Sequence, residues 1–183
     1  WVLWTFFPFA CKILEIELQI YQRSNANSIC NTKIILWSLR VFILYRASLN
    51  KFEMNDIVIL VALEEELPKD SLKEFHIEYS GVGKINACFK TIEVINTYSP
   101  KLIINYGTAG SLKDNLTGLC EVSKFVQRDM DASELGFKIG ETPFDNISKI
   151  SFGNHGLSIG TGDNFVSQKP KIVTDLVDME AYA

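Results

Sequence analysis

The sequence predicts an α/β domain that contains buried strands of a parallel sheet and a helix packed on that sheet. Residues 57–62 are six consecutive apolar residues, and residues 102–106 form a second run without polar and apolar alternation. Such runs are typical of strands that are buried on both faces. A helix pattern lies between them over residues 85–98, with apolar side chains every three or four residues: Ile85, Cys88, Ile92 and Ile95. We expect this apolar face to pack on the sheet.

The remaining elements follow in chain order. Residues 77–79 predict a short strand before the helix, which completes a βαβ unit. Residues 119–127 predict another strand, and the mixed polar and apolar residues 128–144 predict an excursion outside the sheet. A strand is expected at residues 157–160. Residues 177–183 predict a helix start at which the chain stops, so we expect a domain that is incomplete at its carboxyl end.

Length and charge restrict the class of protein. A chain of 183 residues allows one domain of ordinary size with a substantial core. Residues 1–50 carry five basic and two acidic side chains, so their net charge of +3 leaves −7 on the rest of a chain whose total is −4. An acidic body without a basic stripe argues against nucleic acid as a partner.

The cysteines and histidines do not predict a metal site. Cys11, Cys30, Cys88 and Cys120 include no C-x-x-C pair, and both histidines are isolated. We therefore expect no structural metal and no cofactor. Cys88 and Cys120 lie among apolar residues and are expected to be small core residues in a reducing compartment.

The first 53 residues differ from the rest. They begin with Trp1, and their apolar clusters follow neither the period of a strand nor that of a helix. The apolar run at residues 34–45 contains Arg40 and is too short to span a bilayer. We predict that Met54 is the natural start, that residues 1–53 are upstream sequence read through, and that residues 54–183 form the domain. A genuine extension or a membrane-surface anchor is the alternative.

Polar groups and glycines follow the predicted buried strands, where α/β proteins bind their ligands. Three glutamates, Glu64 to Glu66, come directly after the first strand, and Gly107-Thr108-Ala109-Gly110 ends the second. Adjacent glutamates are usually a solvated helix start, but at this place at least one is expected to face inward. The glycine turn by itself fits a ligand contact or a tight connection equally well.

The turn Gly81-Val82-Gly83-Lys84 resembles two phosphate-binding motifs and matches neither. A P-loop requires Ser or Thr after the lysine, where this chain has Ile85. A dinucleotide fingerprint requires a third glycine where Asn86 stands. We interpret the turn as one that allows close packing, with ligand contact as the less favoured alternative.

Five motifs together resemble the landmarks of the 5'-methylthioadenosine/S-adenosylhomocysteine nucleosidases, within the nucleoside phosphorylase superfamily. They occur in the family's order from residue 57 to residue 183: Val61-Ala62-Leu63-Glu64-Glu65-Glu66, Ser80-Gly81-Val82-Gly83-Lys84, Asn105-Tyr106-Gly107-Thr108-Ala109-Gly110, Thr161-Gly162-Asp163-Asn164-Phe165 and Val177-Asp178-Met179-Glu180-Ala181. The resemblance implies a three-layer α/β/α domain around a central mixed sheet, incomplete here at its carboxyl end. The implied activity is that of a cytoplasmic, homodimeric hydrolase in methionine salvage that uses water to cleave adenine from a 5'-thio-substituted ribose.

The resemblance also implies roles for particular residues. Glu66 matches the carboxylate that activates water, and Glu180 matches the glutamate that binds the ribose hydroxyls. The implied substrate contacts are the ribose turn Thr108, Ala109 and Gly110, the sugar neighbour Met179, the purine contacts Phe165 and Val166, and the alkylthio pocket of Ala132, Leu135 and Pro143, formed partly with a neighbouring subunit.

The chemistry agrees with these residue types, since cleavage of an N-ribosidic bond builds positive charge that carboxylates stabilise. The family protonates the leaving adenine with an aspartate beyond the Met-Glu motif, where this chain has ended. We therefore expect the 183-residue chain to be inactive or nearly so. A phosphate-dependent purine nucleoside phosphorylase and a non-catalytic nucleoside-binding module remain alternatives.

Overall fold

The computed structural model describes residues 16–21, 39–45, 47–48, 51–114, 116–145, 148–152 and 156–183. Within them, residues 39–45 and 47–48 are helical (α1), and Lys84–Tyr98 form the 15-residue helix α2. The strands are β1 Ile16–Tyr21, β2 Ile57–Val61, β3 His76–Tyr79, β4 Leu102–Thr108, β5 Gly110–Ser111, β6 Gly118–Gln127, β7 Lys149–Ser151, β8 Leu157–Thr161 and β9 Leu176–Asp178. Short 3-10 turns occur at Met54–Asp56, Lys69–Leu72 and Ser133–Leu135.

The nine strands form one mixed sheet in the order β3-β2-β4-β1-β6-β8-β9-β5, with β7 beside β6. Strands β3, β2, β4 and β1 are parallel, β6 is antiparallel to β1, and β8 and β9 continue parallel to β6. Only Ala109 separates β4 from β5, although the two strands lie far apart in the pairing order. The sheet therefore curls until its β5 end meets β4.

Helices cover both faces of the β2–β4 region, as the three-layer prediction requires. On one face, Leu39 and Ile43 of α1 pack with Ile57, Ile59 and other buried residues of the main core. On the other face, Val94 of α2 packs with Val58, Leu60 and Ile103. Consecutive residues of β2 thus enter opposite cores, which explains why this strand is apolar throughout.

The predicted packing face of α2 is wrong for three of its four residues, since only Ile95 packs against the buried cluster on this face of the sheet. Ile85 and Ile92 are 82% and 54% exposed, and Cys88 is exposed as well. The sheet instead contacts the side that carries Ala87 and Val94. The helix has two neighbouring apolar stripes, and spacing alone does not tell which one the sheet takes. Of the two described cysteines, only Cys120 is the buried residue that we expected.

The carboxyl-terminal segment also differs from the prediction. Residues 176–178 pair with β8 and β5 as β9, and turns rather than a helix follow. Asp178 nevertheless caps that turn, since its carboxylate accepts hydrogen bonds from the backbone N–H groups of Glu180 and Ala181 at 3.1 and 2.6 Å. The motif has the local geometry of a helix start without the helix.

Some residues before Met54 lie inside the fold. Strand β1 pairs with β4 and β6, and Leu39, Ile43 and Ala47 belong to the main buried cluster. The domain boundary at residues 53 and 54 stays a prediction. No helix in the described part of the chain is long and apolar enough to cross a membrane.

Candidate active site

A cavity of about 570 Å³ lies where the carboxyl ends of β2, β4, β8 and β9 meet. Its volume is within the range of small-molecule sites. Most of its wall is contributed by the segments that directly follow these strands. The lining residues are Ala62, Leu63, Glu66, Val82, Thr108, Ala109, Gly110, Arg128, Asn164, Phe165, Val166, Val177, Asp178, Met179 and Glu180.

Glu66 is the glutamate of the acidic triplet that faces inward, while Glu64 and Glu65 are exposed. Its Oε1 accepts hydrogen bonds from the backbone N–H and the Oγ1–H of Thr108 at 2.9 and 2.6 Å. Its Oε2 accepts a third from the N–H of Leu63 at 3.2 Å. The turn after β2 and the end of β4 therefore fix the orientation of this carboxylate.

Glu180 is the second carboxylate of the cavity, and it is held from the glycine turn before α2. The N–H of Gly83 donates to its Oε1 at 2.9 Å, and the N–H of Met179 donates to its Oε2 at 3.3 Å. Burial raises the pKa of Glu180 from 4.5 to about 7, and the negative charges of Asp178 and Glu66 act in the same direction. The group can hold a proton near neutral pH.

Asp178 fixes the turn that carries Glu180. Its buried carboxylate accepts a hydrogen bond from the Thr161 hydroxyl at 2.6 Å, in addition to the two N–H groups of the capped turn. Burial is the main cause that raises the pKa of Asp178, against the opposing effect of these hydrogen bonds. Thr161 in turn accepts from the N–H of Tyr182 at 3.1 Å. This network joins β8, β9 and the turn that carries Glu180.

Eight of the eleven site residues expected from the sequence line this one cavity: Glu66, Glu180, Thr108, Ala109, Gly110, Phe165, Val166 and Met179. The other three, Ala132, Leu135 and Pro143, belong to the segment after β6 and do not line it. Leu135 is largely exposed on that segment. Their assignment to a 5'-substituent pocket stays a prediction.

The two glycines of the turn after β4, Gly107 and Gly110, differ in the space that a side chain would find there. A Cβ on Gly110 would stand 3.1 Å from Cγ2 of Val177, because β5 pairs closely with β9 there. A Cβ on Gly107 would stand 3.7 Å from both carboxylate oxygens of Glu66, which is ordinary contact. A side chain at Gly110 would therefore require Val177 to shift by a few tenths of an ångström, whereas the space beside Glu66 would admit a Cβ at Gly107.

Three residues that organise the site were not expected from the sequence to have a role in it: Arg128, Asp178 and Lys84. Arg128 lines the cavity beside Asn164, and Lys84 forms an ion pair with Asp129 at 2.6 Å. The position of Arg128 could have indicated a site residue, since Arg128 directly follows β6, as the glutamates follow β2. The position of Asp178 could have done so too, since Asp178 directly precedes Met179 and Glu180.

A candidate metal site is not found in the described ranges. Among these residues, no cluster of three or more His, Cys, Asp or Glu side chains could hold a metal ion.

Comparison with known sequences gives several relatives of one kind, although no family model matches the chain. The 5'-methylthioadenosine/S-adenosylhomocysteine nucleosidase of Staphylococcus carnosus is 36% identical over 138 residues, which cover 61% of this chain and 60% of that protein. The Staphylococcus haemolyticus nucleosidase is 40% identical over 73 residues, or 39% of this chain and 32% of the relative. The chain thus spans less than two thirds of these curated relatives.

Solved structures show the same fold. The chain superposes on a Helicobacter pylori 5'-methylthioadenosine/S-adenosylhomocysteine nucleosidase with a TM-score of 0.55 and 22% identity, covering 68% of this chain and 74% of that one. Helicobacter pylori futalosine hydrolase gives a TM-score of 0.57 at 22% identity, covering 68% and 74%. Over its matched part, this chain has the nucleoside phosphorylase fold and is a homologue of the 5'-methylthioadenosine/S-adenosylhomocysteine nucleosidases.

Proposed function

We propose that this protein is a purine nucleosidase that hydrolyses the N-ribosidic bond of 5'-methylthioadenosine or S-adenosylhomocysteine and releases adenine. The observation that carries the proposal is the convergence of two carboxylates, a hydroxyl and an aromatic ring on one cavity: Glu66, Glu180, Thr108 and Phe165. The relatives that match the chain are named as nucleosidases of these two compounds, which supports the same substrate class here.

Each carboxylate has a distinct role in this proposal. Glu66 is the general base, because it is oriented by three donors and borders the cavity beside the Thr108 hydroxyl. It removes a proton from the attacking water while positive charge develops on the ribose. Glu180 hydrogen-bonds the ribose hydroxyls, and its raised pKa lets it act as donor or acceptor there.

The purine and the sugar occupy the rest of the cavity. Phe165 offers an exposed flat ring for stacking, which holds a purine without charge. The Val166 backbone meets the purine edge, Met179 packs beside the sugar, and the turn of Thr108, Ala109 and Gly110 forms the floor under the ribose.

Water rather than phosphate is the proposed nucleophile. Glu64 and Glu65 lie beside Glu66 at the end of β2, and this negative charge disfavours an anion. Arg128 is the one basic side chain among the described lining residues, and four of its N–H donors are directed at residues 160–164. The cavity therefore offers phosphate little cationic support.

Binding of the 5' end of the substrate is proposed to depend on a second copy of the protein. Ala132, Leu135 and Pro143 bind the alkylthio group in a homodimer, in which a second copy closes the open side of the site. An exposed apolar stripe on α2 supports the proposal that a second copy covers this face of the helix. Its residues Ile85, Phe89 and Ile92 are 82%, 70% and 54% exposed. The stripe adjoins the turn of Val82, which lines the cavity.

We further place the protein in the cytoplasm and in methionine salvage, without a cofactor and without a nucleic acid or membrane partner. The free thiols of Cys88 and Cys120 agree with a reducing compartment. The net charge of −4 disfavours nucleic acid and anionic lipid surfaces.

The test is analysis of the reaction products. It uses the natively expressed protein, meaning the protein as its own gene produces it, because we expect the 183-residue chain to be inactive or nearly so. Methylthioadenosine should yield adenine and free 5-methylthioribose at a rate that does not change when phosphate is removed. A strict phosphate requirement with a sugar 1-phosphate product would replace hydrolysis by phosphorolysis. Tight binding of the nucleoside without turnover would instead identify a nucleoside-binding module.

A further inference from the structure

Arg128 is spread across the backbone of the loop that leads to Phe165. Its Nε donates to the carbonyl of Gly160 at 3.1 Å and its Nη2 to the carbonyl of Gly162 at 3.0 Å. Nη1 donates to Oδ1 of Asn164 at 2.6 Å, and Nη2 also donates to the Asn164 carbonyl. One side chain that follows β6 thus contacts Gly160 within β8 and two residues of the loop after it, Gly162 and Asn164.

The loop backbone is shaped to the guanidinium. A Cβ on Gly162 would stand 2.9 Å from Cζ and Nη1 of Arg128, and a Cβ on Gly160 would stand 3.3 Å from the Cβ of Arg128. Neither glycine has a positive φ. The guanidinium therefore leaves least space for a side chain at Gly162, whereas at Gly160 the nearest atom is Oγ1 of Thr174 at 3.0 Å.

A second set of contacts attaches the same loop to the start of α2. The Lys84 N–H donates to Oδ1 of Asp163 at 2.8 Å, and the Asp163 N–H donates to Oδ2 of Asp129 at 2.8 Å. The Lys84 ammonium lies 2.6 Å from Oδ1 of Asp129. The loop is consequently held between β6 and the glycine turn that also binds Glu180.

Phe165 lacks the packing that would hold it by itself, because 90% of the residue is exposed. Its place at the cavity depends on the backbone that precedes it. The fork of the guanidinium is suited to several carbonyls at once, whereas the ammonium of lysine is a single point charge.

We propose that Arg128 is a positioning residue that fixes residues 160–164 and thereby presents Phe165 and Val166 to the purine. It acts through the loop, because four of its five N–H donors are already used there. The role in purine binding rests on the proposed function, whereas the effect on the loop does not.

The first experiment measures amide hydrogen exchange in this chain without substrate. Arg128→Lys should accelerate exchange at residues 161–166 by about tenfold or more, as expected when hydrogen bonds to a charged group are lost. Lys124→Met is the matched control, since Lys124 is an exposed cation on β6, the strand that ends just before Arg128. Asn164→Ala removes only one of the contacts and should give a smaller acceleration, which keeps the test decisive if the arginine variant does not fold. Unchanged exchange in both variants would overturn the proposal.

The second experiment separates binding from chemistry in the natively expressed protein. Arg128→Lys should raise KM for methylthioadenosine about tenfold and leave kcat within about threefold, because the lost purine contacts bind the ground state and the transition state equally. A loss in kcat with unchanged KM would contradict a positioning role. If the wild-type protein released no adenine, the proposed function would fail, and the exchange experiment would still decide the effect on the loop.

Discussion

Oε1 of Glu66 accepts hydrogen bonds from both the amide and the hydroxyl of Thr108, at 2.9 and 2.6 Å. The two residues are 42 positions apart: Glu66 lies in the turn after β2, and Thr108 is the last residue of β4. The two strands pair in parallel with Val61 opposite Tyr106. The proposed base is therefore oriented by the strand that also forms the floor of the cavity.

The Thr108 hydroxyl should matter for the chemical step. Thr108→Val keeps the shape of the side chain and removes the donor to Glu66, so we expect kcat to fall by about ten- to a hundredfold, the effect of a lost hydrogen bond to a charged group. KM should change little. Steady-state adenine release measures both constants.

Two comparisons make that prediction specific. Thr108→Ser keeps the hydroxyl and should retain most of the activity, whereas Thr97→Val alters an exposed threonine on α2 and should have no effect. Equal losses in the valine and serine variants would show that the hydroxyl does not orient Glu66.

Glu180 should make stability depend on pH. Its folded pKa of about 7 lies above the ordinary value of 4.5, so the folded state binds the proton more tightly than the unfolded state. The stabilising contribution is complete below about pH 4.5 and is lost as pH rises through 7. Glu180→Gln imitates the protonated group and should be more stable than the wild type at pH 8.

The size of this difference follows from the shift and from partial exposure of the group. We expect about 1–2 kcal/mol at pH 8 after solvent screening is taken into account, and almost none at pH 4. Urea unfolding of this chain at both pH values measures it, with the exposed Glu134→Gln as control. A Glu180→Gln variant that is less stable than the wild type at pH 8 would show that the carboxylate is favoured in its charged form.

The stripe on α2 should be the dimer contact. Phe89→Lys places a charge in the middle of Ile85, Phe89 and Ile92, and should weaken self-association of the natively expressed protein by about thirtyfold or more, as for a central interface residue. Sedimentation velocity over a concentration series measures the change. Thr97→Lys adds the same charge elsewhere on α2 and should leave the association unchanged. A wild-type protein that stays monomeric at high concentration would contradict the dimer.

The buried strands were predictable from sequence because burial on both faces leaves a continuous apolar run. Residues 57–61 contribute alternately to the core under α1 and the core under α2, so no polar residue interrupts them. An inward-facing glutamate after β2 was predictable for a related reason, since such strand ends carry ligand sites. The choice of Glu66 among the three glutamates rested on the family resemblance.

The packing face of α2 and the contacts of Arg128 could not be derived in the same way. Helical spacing identifies apolar stripes but not their partner, and the sheet takes Ala87 and Val94 while Ile85 stays exposed. Arg128 acts on carbonyls 32 to 36 residues further along the chain. That relationship exists only once β6 and β8 lie side by side.

The central claim is that Glu66 is the general base of a hydrolytic reaction, and substitution of this residue tests it most directly. Glu66→Gln keeps the size of the side chain and removes its basicity, so the rate of adenine release by the natively expressed protein should fall about 10²–10⁴-fold. The neighbouring exposed variant Glu65→Gln should release adenine at the wild-type rate. A Glu66→Gln protein with undiminished release would contradict the account.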